Sequence, residues 1–285
     1  MFKNILIPIS SEFYSKNVLQ RAVFLAEKYK SKLNLLYIIE EKTLSQADKV
    51  IKSYRTASEI EDTKKELINF QKQTADNIIF EDANQILKNK KIPFEEKIIE
   101  GEFSEVVKKE VERNQYDLIL MGFEKECLLN YRLLENINLP IWIEGQVDSK
   151  DILAVCSNLA PNQKVPDFSV KLSKSLRWNL HMLYVVDSED TVEVDEKGQR
   201  SDKKPERDLL FKGQQFVEEM KKKNIPVQLV KGSLERETIN NAESIDAGLI
   251  IVGREQKKKG ILGIPIKNFK RKIAEKCKFS ILFIN

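Results

Sequence analysis

The sequence predicts an α/β protein made of two doubly wound, parallel, five-stranded sheets in tandem. Three observations carry that expectation. The chain has 285 residues, which leaves room for two cores at about 100 to 200 residues per domain. Short continuous apolar runs alternate with stretches whose apolar residues recur at helical spacing, as strands buried on both faces and their crossover helices require. The whole series of features occurs twice.

The first strand is read at Asn4-Ile5-Leu6-Ile7-Pro8-Ile9-Ser10, matched by Asp151-Ile152-Leu153-Ala154-Val155-Cys156-Ser157, and both runs end in serine. A crossover helix follows, with Val18, Ala22, Leu25, Ala26 and Tyr29 on one face. The second strand, Lys32 to Glu40, matches Asn179 to Asp187 at the same offset. In the second half Leu209, Leu210, Phe216, Val217 and Met220 mark a helix. It stops at Lys221-Lys222-Lys223-Asn224, where basic residues suit the negative helix end. Ile92-Pro93 and Ile225-Pro226 then lead into the third strands, which Gly101 and Gly232 follow. The fourth strands are Asp117-Leu118-Ile119-Leu120-Met121-Gly122 and Gly248-Leu249-Ile250-Ile251-Val252-Gly253. Leu139-Pro140-Ile141-Trp142-Ile143 and Ser280-Ile281-Leu282-Phe283-Ile284 close the two halves. Right-handed crossovers between such strands place helices on both sheet faces. The repeat sets the domains at 1–147 and 148–285, with the longer insert, about Thr43 to Lys91, in the first.

Composition narrows the class. A hydrophobic fraction of 41% beside 32% charged residues is that of a soluble globular protein with a densely charged surface. The 48 basic and 44 acidic residues nearly cancel to +4, so no long-range field for nucleic acid is expected. Cys127, Cys156 and Cys277 form no C-x-x-C pair and read as small hydrophobes rather than as disulfides or zinc ligands. Ile5 to Ile9 is too short for a signal sequence, and no run nears the roughly 18 apolar residues of a membrane span. A cytoplasmic protein without a membrane partner is expected.

Taken together, Ile-Leu-Ile-Pro-Ile at 5–9, Leu-Leu-Tyr-Ile-Ile at 35–39, Glu100-Gly101-Glu102 before a helix, and Asp117 to Gly122 resemble the universal stress protein family. The resemblance runs over essentially the whole chain. It implies an adenine nucleotide alpha hydrolase-like, Rossmann-like fold for each half. In ATP-binding members, it further implies, an aspartate after the first strand meets the adenine and ribose. A Gly-x-x-Gly loop, followed after a spacer by Gly-Ser or Gly-Thr, then cradles the phosphates behind the fourth strand. The glycines let backbone N–H groups reach phosphate oxygens, and the next helix presents its positive end.

Both halves depart from that pattern. Ser10 and Ser157 stand where the aspartate is expected. After Gly122 the first half reads Phe123-Glu124-Lys125-Glu126-Cys127-Leu128-Leu129, with no second glycine and two acids that repel phosphate, so no nucleotide is expected there. After Gly253 the second half has Gln256 in place of the second glycine, a displaced Gly260-x-x-Gly263, and Lys267-Asn268 near the expected Gly-Ser. From Arg254 to Lys278 basic side chains far outnumber acidic ones. The candidate ligand contacts are therefore Ser157, Val185, Val252 and Gly253 at strand ends, with Lys257, Lys258, Lys259, Gly260 and Gly263 as a remodelled anion loop. Against this, charge runs are usually solvated, an isolated Gly-x-x-Gly is a weak pattern, and a serine after a strand is an ordinary turn residue.

Other conspicuous residues have plainer readings. His181, the single histidine, lies inside a strand and reads as a packed or edge residue. Trp142 and Trp178 flank strands as packing residues. Ile60, Leu67, Phe70, Ile78, Ile86 and Leu87 in the insert suggest an amphipathic helical cover for the sheet. There is no Walker or Gly-x-Gly-x-x-Gly pattern, no Ser-Gly-Gly loop and no catalytic or metal-ligating set. The resemblance implies a non-enzymatic stress-response or signalling protein acting through protein partners. Its domains form an intrachain pseudo-dimer through their closing strands, with homodimerisation also allowed. No cofactor is expected; the alternative is a sensor of ATP or another anion at residues 253–263.

Overall fold

A computed structural model describes residues 1–10, 15–40, 65–66, 68–70, 81, 85–86, 91–122, 137–160, 163–195, 199–254 and 278–284. The chain divides into two compact units, Met1–Leu133 and Leu134–Asn285.

The first unit runs β1 (Asn4–Ile9), α1 (Lys16–Tyr29), β2 (Lys32–Glu40), β3 (Phe94–Gly101), α2 (Phe103–Arg113) and β4 (Leu118–Gly122). Its strands are parallel in the order β3-β2-β1-β4. Ile5, Leu6, Ile7 and Ile9 of β1 are all buried, as the unbroken apolar run requires of a central strand. Pro8 is tolerated there because the ladder to β4 runs through Ile5 and Leu6, before the residue that lacks an N–H. Helix α1 buries the stripe Val18, Ala22, Leu25, Ala26 and Tyr29 and ends at Lys30, whose left-handed backbone (φ 56°) stops the helix. At the N-terminus of α2 the Glu102 carboxylate caps the N–H of Glu105 at 2.9 Å. The Asp117 carboxylate accepts the N–H groups of Lys3 (2.7 Å) and Asn4 (2.9 Å), tying the start of β1 to that of β4.

The second unit runs β5 (Ile141–Glu144), β6 (Asp151–Ser157), α3 (Lys164–Leu176), β7 (Asn179–Asp187), α4 (Glu206–Lys222), β8 (Gln228–Gly232), α5 (Leu234–Ser244), β9 (Leu249–Gly253) and β10 (Ser280–Ile284). Strands β6 to β10 form the parallel order β10-β9-β6-β7-β8. This is the architecture the sequence predicts for the second repeat. Strand β5 adds antiparallel to β10, with Trp142 opposite Leu282. The closing strands of the two repeats therefore pair with each other. The sequence reading sets the repeat boundary at 147/148, whereas the packing units meet at 133/134, because β5 pairs with β10.

Where the first repeat has Asp117, the second has Gly248. Its N–H donates to the Asp151 carbonyl at 2.8 Å, and a Cβ built on it would lie 2.0 Å from the Ser149 carbonyl oxygen. That neighbour is backbone and cannot swing aside. Gly248→Ala is therefore expected to cost about 2 to 3 kcal/mol. A urea titration checks this; an unchanged midpoint would mean that the segment before β6 gives way freely.

Candidate ligand crevice

In an open parallel sheet, ligands bind at the carboxyl ends of the strands where the strand order reverses. In the second unit the chain winds from β6 through β7 to β8 on one side, then returns to β9 and β10 on the other. The reversal lies between β6 and β9. The register sets Ser157 beside Val185 and Val155 beside Val252, so Ser157, Val185, Val252 and Gly253 end on this one edge. The structure thus brings four of the sequence-predicted residues together. All four are buried. The two valines lie in the core, and the Ser157 hydroxyl accepts the Leu159 N–H at 3.1 Å within its own turn.

The edge is organised by two residues not singled out in the sequence. The Asn158 Oδ1 accepts the Asp187 N–H at 2.7 Å, and its Nδ2 donates to the carbonyls of Val192 (2.8 Å) and Asp190 (3.3 Å). Its backbone carbonyl accepts the Val194 N–H at 2.8 Å. Asp187, only 4% exposed, distributes its carboxylate over three N–H groups. Oδ1 takes those of Glu189 and Asp190 at 2.8 Å each, and Oδ2 takes that of Leu234 at 2.7 Å. Leu234 is the first residue of α5, so the carboxylate also sits at the positive helix end. One signal was available in the sequence: Glu40 and Asp187 are acids at equivalent places in the two repeats. Glu40 is buried as well, and its Oε1 accepts the Ser10 hydroxyl at 2.9 Å.

Between β7 and α4 residues 188–195 and 199–205 form the two arms of a hairpin at this edge. Val194 bridges antiparallel to Arg200, the Ser201 N–H donates to the Glu193 carbonyl (2.8 Å), and the Lys204 N–H donates to that of Thr191 (2.7 Å). Arg200 pairs with Asp190 at 2.8 Å, and Lys212 of α4 pairs with Glu193 at 2.7 Å.

Arg254, the first basic residue after Gly253, turns inward. It is 2% exposed, and its Nη2 donates to the carbonyls of Ile137 (2.5 Å) and Leu139 (2.9 Å). Burial lowers its pKa to about 10, so it still carries charge at neutral pH. Its Nη2 thus serves the 137–139 backbone. The ammonium of Lys278 lies 5.2 Å from the centre of the Phe279 ring. Lys257, Lys258, Lys259, Gly260, Gly263 and Lys267-Asn268 lie outside the described residues, as do Phe123 to Leu129, Cys127, Cys277 and most of the insert. Phe70 of the insert is helical and exposed.

The plainer residues fall as their sequence context suggests. His181 is a half-exposed strand residue whose Nε2 meets Asp151 Oδ1 at 2.9 Å; that hydrogen bond leads the causes that lower the Asp151 pKa. Trp142 and Trp178 are buried. Cys156 is buried and its thiol pKa is pushed up by desolvation, which leaves it inert. Among the described residues no group of three or more metal-ligating side chains occurs, and no helix is long and apolar enough to cross a membrane.

This topology defines a doubly wound α/β fold, whose switch point is the usual place for a ligand. Comparison with known proteins narrows it. Residues 1–137 match the model of the universal stress protein family. A universal stress protein from Archaeoglobus fulgidus DSM 4304 superposes with a TM-score of 0.63 at 13% identity, covering 98% of each chain. A functionally unknown protein from Pseudomonas aeruginosa PAO1 gives 0.64 at 14% identity, covering 99% of this chain and 92% of its own. A universal stress protein from Pseudomonas aeruginosa UCBPP-PA14 gives 0.61 at 13% identity, covering 99% and 93%. Comparison with curated protein sequences gives no match. The first repeat thus matches the universal stress protein family by sequence, and the chain shares the fold of these structures over its full length.

Proposed function

We propose that the chain is a non-enzymatic, cytoplasmic stress-response protein that acts through protein partners and works without ATP. Its domains, 1–147 and 148–285, make an intrachain pseudo-dimer through β5 and β10, and homodimerisation of the whole chain is compatible with this. One observation supports the reading above all. At the carboxyl edge of the second unit the Ser157 hydroxyl, the Asn158 carboxamide and the Asp187 carboxylate all bind the protein's own backbone. A ligand entering there would have to replace good buried hydrogen bonds with its own, which leaves little net gain.

The test is thermal unfolding with and without millimolar magnesium ATP, on the natural chain and on a variant with Lys257, Lys258 and Lys259 replaced by alanine. The expected result is the same melting temperature in all four cases. Ligand at a hundredfold over its dissociation constant would stabilise the protein by about 2.7 kcal/mol, a clear upward shift. A shift that disappears in the triple variant would put the sensor reading, with ATP held at residues 253–263, in place of this one.

A further inference from the structure

We infer that the hairpin between β7 and α4 is a latched occupant of the carboxyl edge of β6 and β7, and that the Asn158 carboxamide is the latch. A carboxamide offers one acceptor oxygen and two donor N–H groups. Asn158 commits both ends. Its oxygen takes the N–H of Asp187 at the end of β7, and its nitrogen gives to the carbonyls of Val192 and Asp190 in the hairpin. A backbone bond from Val194 to the Asn158 carbonyl completes the clasp. One side chain thus joins the end of β6, the end of β7 and the hairpin.

The clasp works beside few other contacts, among them the bonds of the Asp187 carboxylate to the Glu189 and Asp190 N–H groups. Among the described residues of the hairpin Val192 and Val194 are the buried apolar ones, so two apolar side chains hold it beside the clasp. The Arg200–Asp190 and Lys212–Glu193 pairs are partly exposed, where ion pairs contribute little. Local opening is easiest where few apolar contacts hold a segment. With the latch undone, the Asp187 N–H would face the edge, ready for a ligand with an amide-like pairing of acceptor and donor. The inference deepens the functional reading, since it says what keeps the same crevice closed.

Amide hydrogen exchange on the intact chain tests it, with Asn158→Ala and Asn158→Asp beside the natural protein. Aspartate keeps the acceptor for the Asp187 N–H but sets an oxygen against the hairpin carbonyls, so it should also release the hairpin. Both variants are expected to speed exchange of the Val194 and Ser201 amides about ten- to a hundredfold, while β6 and β9 keep their protection. Unchanged exchange in the hairpin would overturn the proposal. Equal acceleration throughout the unit would overturn it too, because Asn158 would then be a general stabiliser. ATP stabilising the natural chain would sink the functional reading while leaving this exchange result to stand or fall by itself.

Discussion

Asp187→Ala is expected to destabilise the second unit by about 3 kcal/mol. The carboxylate is buried and serves three backbone donors, of Glu189, Asp190 and Leu234. Removing it strands those donors together, and a stranded buried group costs about 1 to 3 kcal/mol. The three do not add in full, because the N–H groups of Glu189 and Asp190 are only partly buried and water can reach them. The Leu234 N–H has no such relief: its bond is buried and it begins α5. Asp187→Asn should cost less, since one oxygen remains an acceptor while the new amide faces a donor. Urea unfolding of both variants checks the order. Equal stability of Asp187→Ala and the natural chain would show that the carboxylate is not what joins β7 to α5.

Trp142→Ala is expected to cost about 3 to 5 kcal/mol, in the range of buried aromatic truncations. Trp142 has no exposed surface, and it stands opposite Leu282 in the antiparallel pairing of β5 with β10. Its indole N–H also donates to the buried Glu144 carboxylate at 2.8 Å, so truncation removes both the packing and a donor to a buried acid. The loss should be accompanied by faster amide exchange along β10. Trp142→Phe sets an upper bound on the share of the N–H, since it keeps a six-membered ring but loses the N–H together with the rest of the five-membered ring. A truncation costing under 1 kcal/mol would mean that β5 adds nothing to the stability of β10.

These two residues differ in how far the sequence announces them. Strands such as β1, β6 and β9 were legible because a strand covered on both faces needs an unbroken apolar run, and Ile5 to Ile9 and Leu249 to Val252 supply it. The α1 stripe was legible for the corresponding reason at helical spacing. Trp142 could be read as a packing residue from its strand. The antiparallel direction of β5 left no trace in periodicity, because apolar residues alternate alike in either direction.

The crevice was legible only in part. The resemblance singled out Ser157, Val185, Val252 and Gly253 as candidate contacts at strand ends, and the register sets these four on one edge. Asn158 carries no local signature of its role, since Val192 is brought to it from more than thirty positions away, and the match of Asp187 to Glu40 gives no hint of the Leu234 N–H more than forty positions on. Arg254 shows the same limit from the other side. Its charge counted toward a basic loop in the sequence, yet its guanidinium serves two carbonyls near residue 138.

The crevice is satisfied from within by the protein's own hydrogen bonds, and the proposed function follows from that. Isothermal titration of the intact chain with magnesium ATP tests that most directly. The account predicts no saturable binding up to millimolar concentration. One ATP bound per chain, with the affinity lost when Lys257, Lys258 and Lys259 are replaced by alanine, would contradict it and restore the loop after β9 as a phosphate site.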